Sequence, residues 1–141
     1  MSERARSLGP GPAELLAANK LATMATVAED GLPRLSVVYY ADRNGRILVS
    51  TLHERLKTSD VERTGWAALS VRGEEAPYPS ATFSGPATVR SEEIEEDTAL
   101  VMGRMAGLPE PPAPQGAEAL AEAGRVLIEI EVERVTAVSH F

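Results

Sequence analysis

Two glycine-containing turns near the start of the chain constrain its fold more than any other feature. Asp30-Gly31 and Asn44-Gly45 each lie between segments that are rich in β-branched, aromatic and other strand-forming residues. Such dipeptides are strong signals for tight β-hairpins, because the turn needs a left-handed backbone that glycine adopts freely. The sequence therefore predicts a meander of three antiparallel strands. These strands span residues 21–28, 34–41 and 46–51.

Three further strands follow, at residues 66–72, 80–90 and 125–139. The last alternates apolar and charged residues over a long stretch, which is typical of a strand with one face in water. Gly85-Pro86 interrupts the fifth strand and indicates a bulge or an edge position, since proline cannot donate to a β-ladder. Sequential hairpins without regular crossover helices favour an antiparallel barrel over a parallel sheet.

Short helices are predicted between and around these strands. Their predicted ranges are residues 12–20, 54–63, a segment that begins at Ser91, and 117–123. Thr51 or His53 is the candidate N-cap of the second helix, because hydroxyl and other short polar side chains can accept from the free backbone N–H groups there.

The 141-residue length allows one compact domain. We expect a flexible tail over residues 1–11 and a single domain over residues 12–141. Cysteine is absent, which excludes disulfides, cysteine-ligated metals and thiol catalysis. The two histidines, His53 and His140, are far apart in sequence, so we predict no metal site.

The net charge of −7 argues against nucleic acid as a partner, since nucleic-acid binders normally carry a basic face. No apolar run reaches the roughly 20 residues that a membrane helix needs, and the N-terminus has no signal-peptide pattern. We therefore expect a cytoplasmic protein whose partner is a small molecule.

The most specific local feature is the segment that follows the third strand and opens the second helix. Arg55 and Lys57 lie there among hydroxyl side chains, at Ser50, Thr51 and Thr58. A phosphate group favours such a set, which combines an arginine fork, a lysine point charge and neutral donors. The alternative is a solvated turn with two ordinary surface cations. The sequence shows no triad, nucleophile elbow or Gly-rich phosphate loop, so no catalytic side chain is assigned.

Taken together, the segments resemble a known family in their order and spacing. The resembling segments are Leu21-Ala22-Thr23-Met24-Ala25-Thr26, Asp30-Gly31-Leu32-Pro33, residues 37–40, residues 47–51 followed by Arg55-Leu56-Lys57, residues 60–71 and 82–89, and residues 125–135. Over residues 12–138 the chain is similar to the pyridoxamine 5′-phosphate oxidase-like superfamily, and within it to short actinobacterial proteins that use the deazaflavin coenzyme F-420.

The resemblance implies a mainly β protein, a six-stranded antiparallel split β-barrel of the FMN-binding type. It also implies a homodimer with the cofactor held between subunits. The implied activity is that of an oxidoreductase that uses F-420, or alternatively FMN, and transfers hydride to a small unsaturated or quinone-like substrate. Two alternatives remain on the same fold: a non-catalytic carrier of a cofactor or tetrapyrrole, and a dimeric interaction module with no small ligand.

Carried over to this chain, the resemblance places Arg55 and Lys57 on the cofactor phosphate, with Thr58 nearby. The resemblance also implies that Arg34 binds either a phosphate or an acidic tail of the cofactor. Because F-420 ends in an oligoglutamate tail, Arg43 and Arg46 would also contribute if they face the same groove. The residues expected along the ring system are Ser36, Val37, Val38, Ser50 and Thr51.

Overall fold

The computed structural model describes residues 10–138 of the chain. Most of the predicted tail, residues 1–9, lies outside this range, as do residues 139–141. The strands are β1 (Leu21–Val27), β2 (Pro33–Arg43), β3 (Arg46–Leu52), β4 (Trp66–Arg72), β5 (Ser80–Arg90), β6 (Arg125–Glu131) and β7 (Arg134–Val138). The helices are α1 (Pro10–Ala18), α2 (Leu56–Thr64), α3 (Glu95–Met105) and α4 (Ala117–Glu122).

Six of the strands close into a barrel. The neighbours run in the order β4, β1, β2, β3, β6 and β5, and a second pairing between β4 and β5 closes the ring. Each of these pairings is antiparallel. The prediction of a mainly β, six-stranded antiparallel barrel with short helices is therefore confirmed.

Both predicted hairpin turns have the left-handed backbone that they need. The φ angles are +87° at Gly31, +54° at Asn44 and +79° at Gly45. Arg43 pairs directly with Arg46, which leaves Asn44-Gly45 as a two-residue loop. The second strand is accordingly longer than predicted, because pairing continues to the edge of this tight turn.

The last predicted strand is broken into β6 and β7 by a bulge. Ser84 of β5 pairs with Arg134, and Ala87 of β5 pairs with Ile130. Three residue steps along β5 therefore correspond to four steps along the partner segment. The extra residue brings the backbone of Glu131 against Gly85, where an added Cβ atom would lie 1.9 Å from the Glu131 carbonyl oxygen. The bulge therefore lies in the segment opposite Gly85 and not at Gly85-Pro86 itself, where β5 pairs with β4 without interruption. The prediction of a single uninterrupted last strand is wrong.

Two helix starts also differ from prediction. The N-cap of α2 is Arg55, without a side-chain cap hydrogen bond, so the predicted caps Thr51 and His53 are wrong. The helix predicted from Ser91 begins only at Glu95. The four residues before it form a bend that includes a φ of +55° at Glu93. This bend places Ile94, only 2% exposed, in an apolar cluster with two leucines, and burial there outweighs an earlier helix start.

The barrel interior is apolar and is covered at one end by α1. Leu16 of α1 is fully buried, and its carbonyl oxygen accepts a 2.6 Å hydrogen bond from the Tyr40 hydroxyl. Burial raises the pKa of Tyr40 to about 12. The large interior side chains include Met24, Tyr40, Leu69, Phe83, Ile128 and Ile130.

Among the described residues, no helix is both long and apolar enough to cross a membrane.

Candidate anion-binding site

A groove of about 330 Å³ lies where β2, β3 and the start of β6 meet the turn into α2. Its lining combines exposed apolar side chains of β2 with cations and hydroxyl-bearing residues. The lining residues are Val37, Val38, Tyr39, Ser50, Thr51, Leu52, Arg55, Lys57 and Arg125. The structure therefore brings together six of the nine residues predicted for the cofactor site.

The turn from β3 into α2 is fixed by backbone hydrogen bonds on both sides. The N–H of His53 donates to the Gly124 carbonyl at 2.8 Å, which joins the turn to the start of β6. The N–H of Arg55 donates to the Leu52 carbonyl at 3.1 Å. The Thr58 hydroxyl donates to the same Leu52 carbonyl at 2.8 Å. These bonds give Arg55 and Lys57 a defined backbone position beside the groove.

The cations of the groove have no acidic partner in the part of the chain that the structure describes. Within residues 10–138, no carboxylate lies within ion-pair distance of Arg55, Lys57 or Arg125. Partial burial lowers the pKa of Lys57 below its ordinary value, and the neighbouring positive charge of Arg55 lowers it further. An anion placed between these groups would relieve both effects, because it favours the charged form of lysine.

The three arginines predicted for an acidic tail are engaged elsewhere. Arg34 Nε donates to Asp60 Oδ2 at 2.7 Å, and Arg46 Nη1 donates to Glu129 Oε2 at 3.2 Å. Arg43 pairs with Asp97, which also accepts from Arg90. None of the three lines the groove. Their role in binding an acidic tail stays a prediction.

Two other predicted site residues lie outside the groove lining. Thr58 is fully buried, and its hydroxyl bonds to the backbone of the turn, so it supports the turn from beneath. Ser36 pairs with Met24 of β1 and lies two residues before Val38 on β2. Both positions are close in sequence to lining residues but are not part of the lining itself.

Helix α2 is anchored to the barrel through Asp60, which is 1% exposed. Asp60 Oδ2 accepts hydrogen bonds from Thr26 Oγ1 at 2.8 Å and from Arg34 Nε at 2.7 Å. Arg63 Nη1 lies 3.4 Å from Asp60 Oδ1. Burial alone would raise the pKa of Asp60, but the hydrogen bonds from Arg34 and Thr26 and the charge of Arg34 outweigh it and lower the pKa.

Sequence reasoning missed Arg125, Tyr39 and Leu52 in the lining. Tyr39 and Leu52 are neighbours of predicted residues on β2 and β3. Arg125 is 75 residues from Ser50, and only the pairing of β3 with β6 brings them together. The only sequence signal for Arg125 is its position as the charged first residue of a predicted strand. Nothing in the sequence fixes the strand with which it pairs.

The arrangement is suited to binding and orientation. It offers two cations on a fixed turn, a third from β6, hydroxyl groups of β3 and an apolar wall from β2. Among residues 10–138, no three His, Cys, Asp or Glu side chains are placed to hold a metal ion. A ligand that combines an anionic end with a flat apolar body matches these groups.

Known structures have the same fold. A conserved hypothetical protein, Rv2991 from Mycobacterium tuberculosis, is 21% identical with a TM-score of 0.69, covering 99% of this chain and 86% of its own. A protein described as an F-420 reductase is 19% identical with a TM-score of 0.69, covering 87% and 94%. A FAD-binding protein from Mesorhizobium loti is 20% identical with a TM-score of 0.66, covering 88% of both chains. At these identities the likeness shows the fold alone.

No curated protein matches the sequence significantly. The model of the family described as pyridoxamine 5′-phosphate oxidase matches residues 12–139, which is nearly the whole chain. The closed antiparallel barrel and the match over this length agree with the resemblance seen in the sequence. The chain belongs to the pyridoxamine 5′-phosphate oxidase family.

Proposed function

We propose that this protein is a flavin-type oxidoreductase that binds coenzyme F-420 and transfers hydride to a small unsaturated or quinone-like substrate, with FMN as the alternative cofactor. The observation that carries the proposal is the pair Arg55 and Lys57, held on a fixed turn beside an apolar wall without a carboxylate partner among the described residues. Arg55 is exposed and Lys57 half-buried, so both charges are available to a ligand that supplies negative charge.

The residues of the groove fit the phosphate and ring of such a cofactor. Arg55 offers a planar fork of donors and Lys57 a point charge, while the hydroxyls of Ser50 and Thr51 supply neutral hydrogen bonds. Val37 and Tyr39, both exposed on the outer face of β2, provide an apolar surface for a flat ring. When bound, the isoalloxazine or deazaflavin ring supplies the hydride chemistry, and the protein binds, orients and shields it from water.

The family and two of the similar structures support a flavin-type cofactor. One of those structures is described as an F-420 reductase and another as a FAD-binding protein. The resemblance of this sequence to the short actinobacterial proteins favours F-420. Arg34, Arg43 and Arg46 each pair with a carboxylate of the protein, and an oligoglutamate tail would compete for those three cations.

We further propose that the protein is a homodimer with the cofactor at the subunit interface. The outer face of β2 exposes three large apolar side chains, with Leu35 67%, Val37 72% and Tyr39 38% exposed. Val37 and Tyr39 also line the groove, so a second copy on this face would cover the site. Covering it would remove apolar surface from water and exclude solvent from the bound ring.

The first test is parallel titration of the purified protein with F-420 and FMN, followed by fluorescence or calorimetry. The double variant Arg55→Ala with Lys57→Ala is compared with the control Arg72→Ala with Arg134→Ala, which removes the same charge outside the groove. Loss of two charge-assisted contacts should weaken cofactor binding by more than about tenfold. The control should bind like wild type, and both variants should fold, as judged by circular dichroism.

The outcomes separate the candidate functions. Preferential binding of F-420, followed by turnover with enones or quinones, supports the proposal as stated. Preferential binding of FMN identifies the alternative cofactor. Tight binding without turnover on any acceptor points to a carrier. Binding that is unchanged in the double variant contradicts the assignment of the phosphate turn, and binding of neither cofactor contradicts the function.

A further inference from the structure

A third cation, Arg125, faces the same groove as Arg55 and Lys57 but comes from a distant part of the chain. It is the first residue of β6 and pairs with Leu52, the last residue of β3. Its Nη1 atom lies 3.5 Å from Ser50 Oγ, another lining residue. Neither the resemblance nor the sequence pattern had assigned a role to this arginine.

The backbone of Arg125 is fixed relative to the phosphate turn. The carbonyl of Gly124, immediately before it, accepts the 2.8 Å hydrogen bond from the His53 N–H. Gly124 has a φ of +71°, a left-handed conformation in which the chain leaves α4 and enters β6. The turn and the start of β6 are thus one hydrogen-bonded unit, so the base of the Arg125 side chain keeps a constant relation to Arg55 and Lys57.

The charge of Arg125 is not neutralised by any described residue. It is half-buried, and no carboxylate within residues 10–138 lies within ion-pair distance of it. Glu129, a carboxylate of the same strand, is engaged by Arg46 and Arg90. The groove therefore concentrates three positive charges in a protein whose net charge is −7.

We infer that Arg125 is a third anion-binding residue and that the groove selects ligands with two negative charges at their phosphate end. The inference rests on the proposed function and deepens it. Three cations around one monoanion would leave two charges uncompensated at short range, whereas a compact dianion neutralises most of the cluster.

Two sources supply such a dianion. The phosphate monoester of FMN carries close to two charges at neutral pH, since its second pKa is about 6. The phosphate of F-420 is a diester with one charge, and a carboxylate of the adjoining tail supplies the second. The shared chemistry is two anionic groups at one end of a flat ring system, and matched ligand pairs distinguish the sources.

The test compares Arg125→Gln with wild type on ligands that differ only at the anionic end. FMN is paired with riboflavin, and F-420 with its phosphate-free deazaflavin core. The matched control for charge is Arg134→Gln, because Arg134 is an exposed arginine of β7. We expect Arg125→Gln to weaken FMN or F-420 by about tenfold, the loss of one charge-assisted contact, and to leave the phosphate-free ligands within about twofold. The phosphate-bearing ligand that is affected identifies the source.

The pH dependence provides a second measurement. If FMN is the affected ligand, its affinity for wild type should rise from pH 5.5 to 7.5 as the phosphate becomes a dianion. The rise should be smaller in Arg125→Gln, because one of the cations that favour the second charge is gone. Arg125→Lys keeps the charge but loses the fork, and we expect it to lie between wild type and the glutamine variant.

Failure of the inference is distinguishable from failure of the proposed function. If Arg125→Gln binds like wild type while the Arg55 and Lys57 double variant binds weakly, the role of Arg125 is overturned. The assignment of the phosphate turn then still holds. Equal weakening of phosphate-bearing and phosphate-free ligands also overturns the role of Arg125. Wild type that binds none of the four ligands overturns both. Circular dichroism of Arg125→Lys and Arg125→Gln separates a binding loss from a folding loss.

Discussion

Asp60 is a buried carboxylate that joins three elements of the fold. Its oxygens accept hydrogen bonds from Thr26 on β1 and from Arg34 on β2, and Arg63 lies within its own helix. The acid is three residues beyond Lys57 along the chain. The orientation of α2, and with it the position of the phosphate turn, therefore depends on one ionised side chain.

Replacing Asp60 by alanine should lower the free energy of unfolding by about 3 kcal/mol at pH 7, because it leaves Arg34 and Thr26 without their buried partner. The pKa of Asp60 is lowered in the folded state. Its contribution is therefore present above the ordinary aspartate pKa of about 4 and is lost as the pH falls through the folded value. Urea denaturation between pH 3 and 7 measures both effects.

Glu62→Ala is the control for this experiment, since Glu62 is exposed on the same helix. It should change the free energy of unfolding by less than about 0.5 kcal/mol. A difference between wild type and Asp60→Ala that stays constant from pH 7 to pH 3 would contradict the assignment of the ionised carboxylate as the stabilising group.

For single residues, the sequence predicts groups that are close along the chain and misses contacts between side chains that only the barrel brings together. Arg55 and Lys57 could be grouped because they are two residues apart on a strand-to-helix turn. Arg34 was assigned to a ligand, but Asp60 engages it, and only the fold brings those two side chains together. Arg125 was missed for the converse reason, since its neighbour Ser50 is 75 residues away.

Among the strands, the contact between β5 and the bulge after β6 is the tightest backbone approach that involves a glycine. The space beside Gly85 is taken by the Glu131 carbonyl, so no side chain fits there. On the other side of this point Ser84 accepts a 2.9 Å hydrogen bond from the Glu133 N–H, which fixes the bulge. Gly85 therefore permits β5 to pair with both β6 and β7.

Gly85→Ala should lower the free energy of unfolding by at least about 2 kcal/mol, because the added methyl group forces the backbones of β5 and β6 apart. Thermal and urea denaturation measure the change. Gly116→Ala is the control, since a Cβ atom there meets nothing within 4 Å and its φ of −69° suits any residue. Equal stability of the two variants would show that the bulge can move away at no cost.

Strand positions were predictable because alternation and turn residues are local signals. The ranges of β4 and β5 agree with prediction, and those of β1 and β3 differ by one residue. The break before β7 had a signal of its own, because Glu133-Arg134 places two charged residues in succession and shifts the apolar phase. Helix starts were less predictable, since burial of Ile94 depends on Leu120 and Leu127, far along the chain.

The molecule as a whole has one apolar face that a single copy leaves in water. Leu35, Val37 and Tyr39 alternate along the outer side of β2, and Leu21 lies opposite Tyr39 on β1. Contiguous exposed apolar surface of this kind is typical of an interface between proteins. The proposed homodimer accounts for this face and for its continuity with the groove.

Leu35→Lys tests this proposal without altering the groove lining. We expect light scattering at micromolar concentration to show a dimer for wild type and a monomer for the variant, because a charge in the interface would lose its hydration. Leu108→Lys, at another exposed leucine, should leave the mass unchanged. A wild-type monomer would contradict the shared-site proposal, and a dimeric variant would place the interface elsewhere.

The position of β6 between β3 and β5 has a consequence for how the protein acquires its ligand. A nascent chain that has emerged from the ribosome only through α3 already contains Arg55 and Lys57, but it lacks the strand that joins β3 to β5 and carries Arg125. Neither the closed barrel nor the complete groove exists at that stage. Under the proposed function, the cofactor meets its complete groove only after β6 has joined β3 and β5, and its binding would then stabilise the closed barrel by mass action.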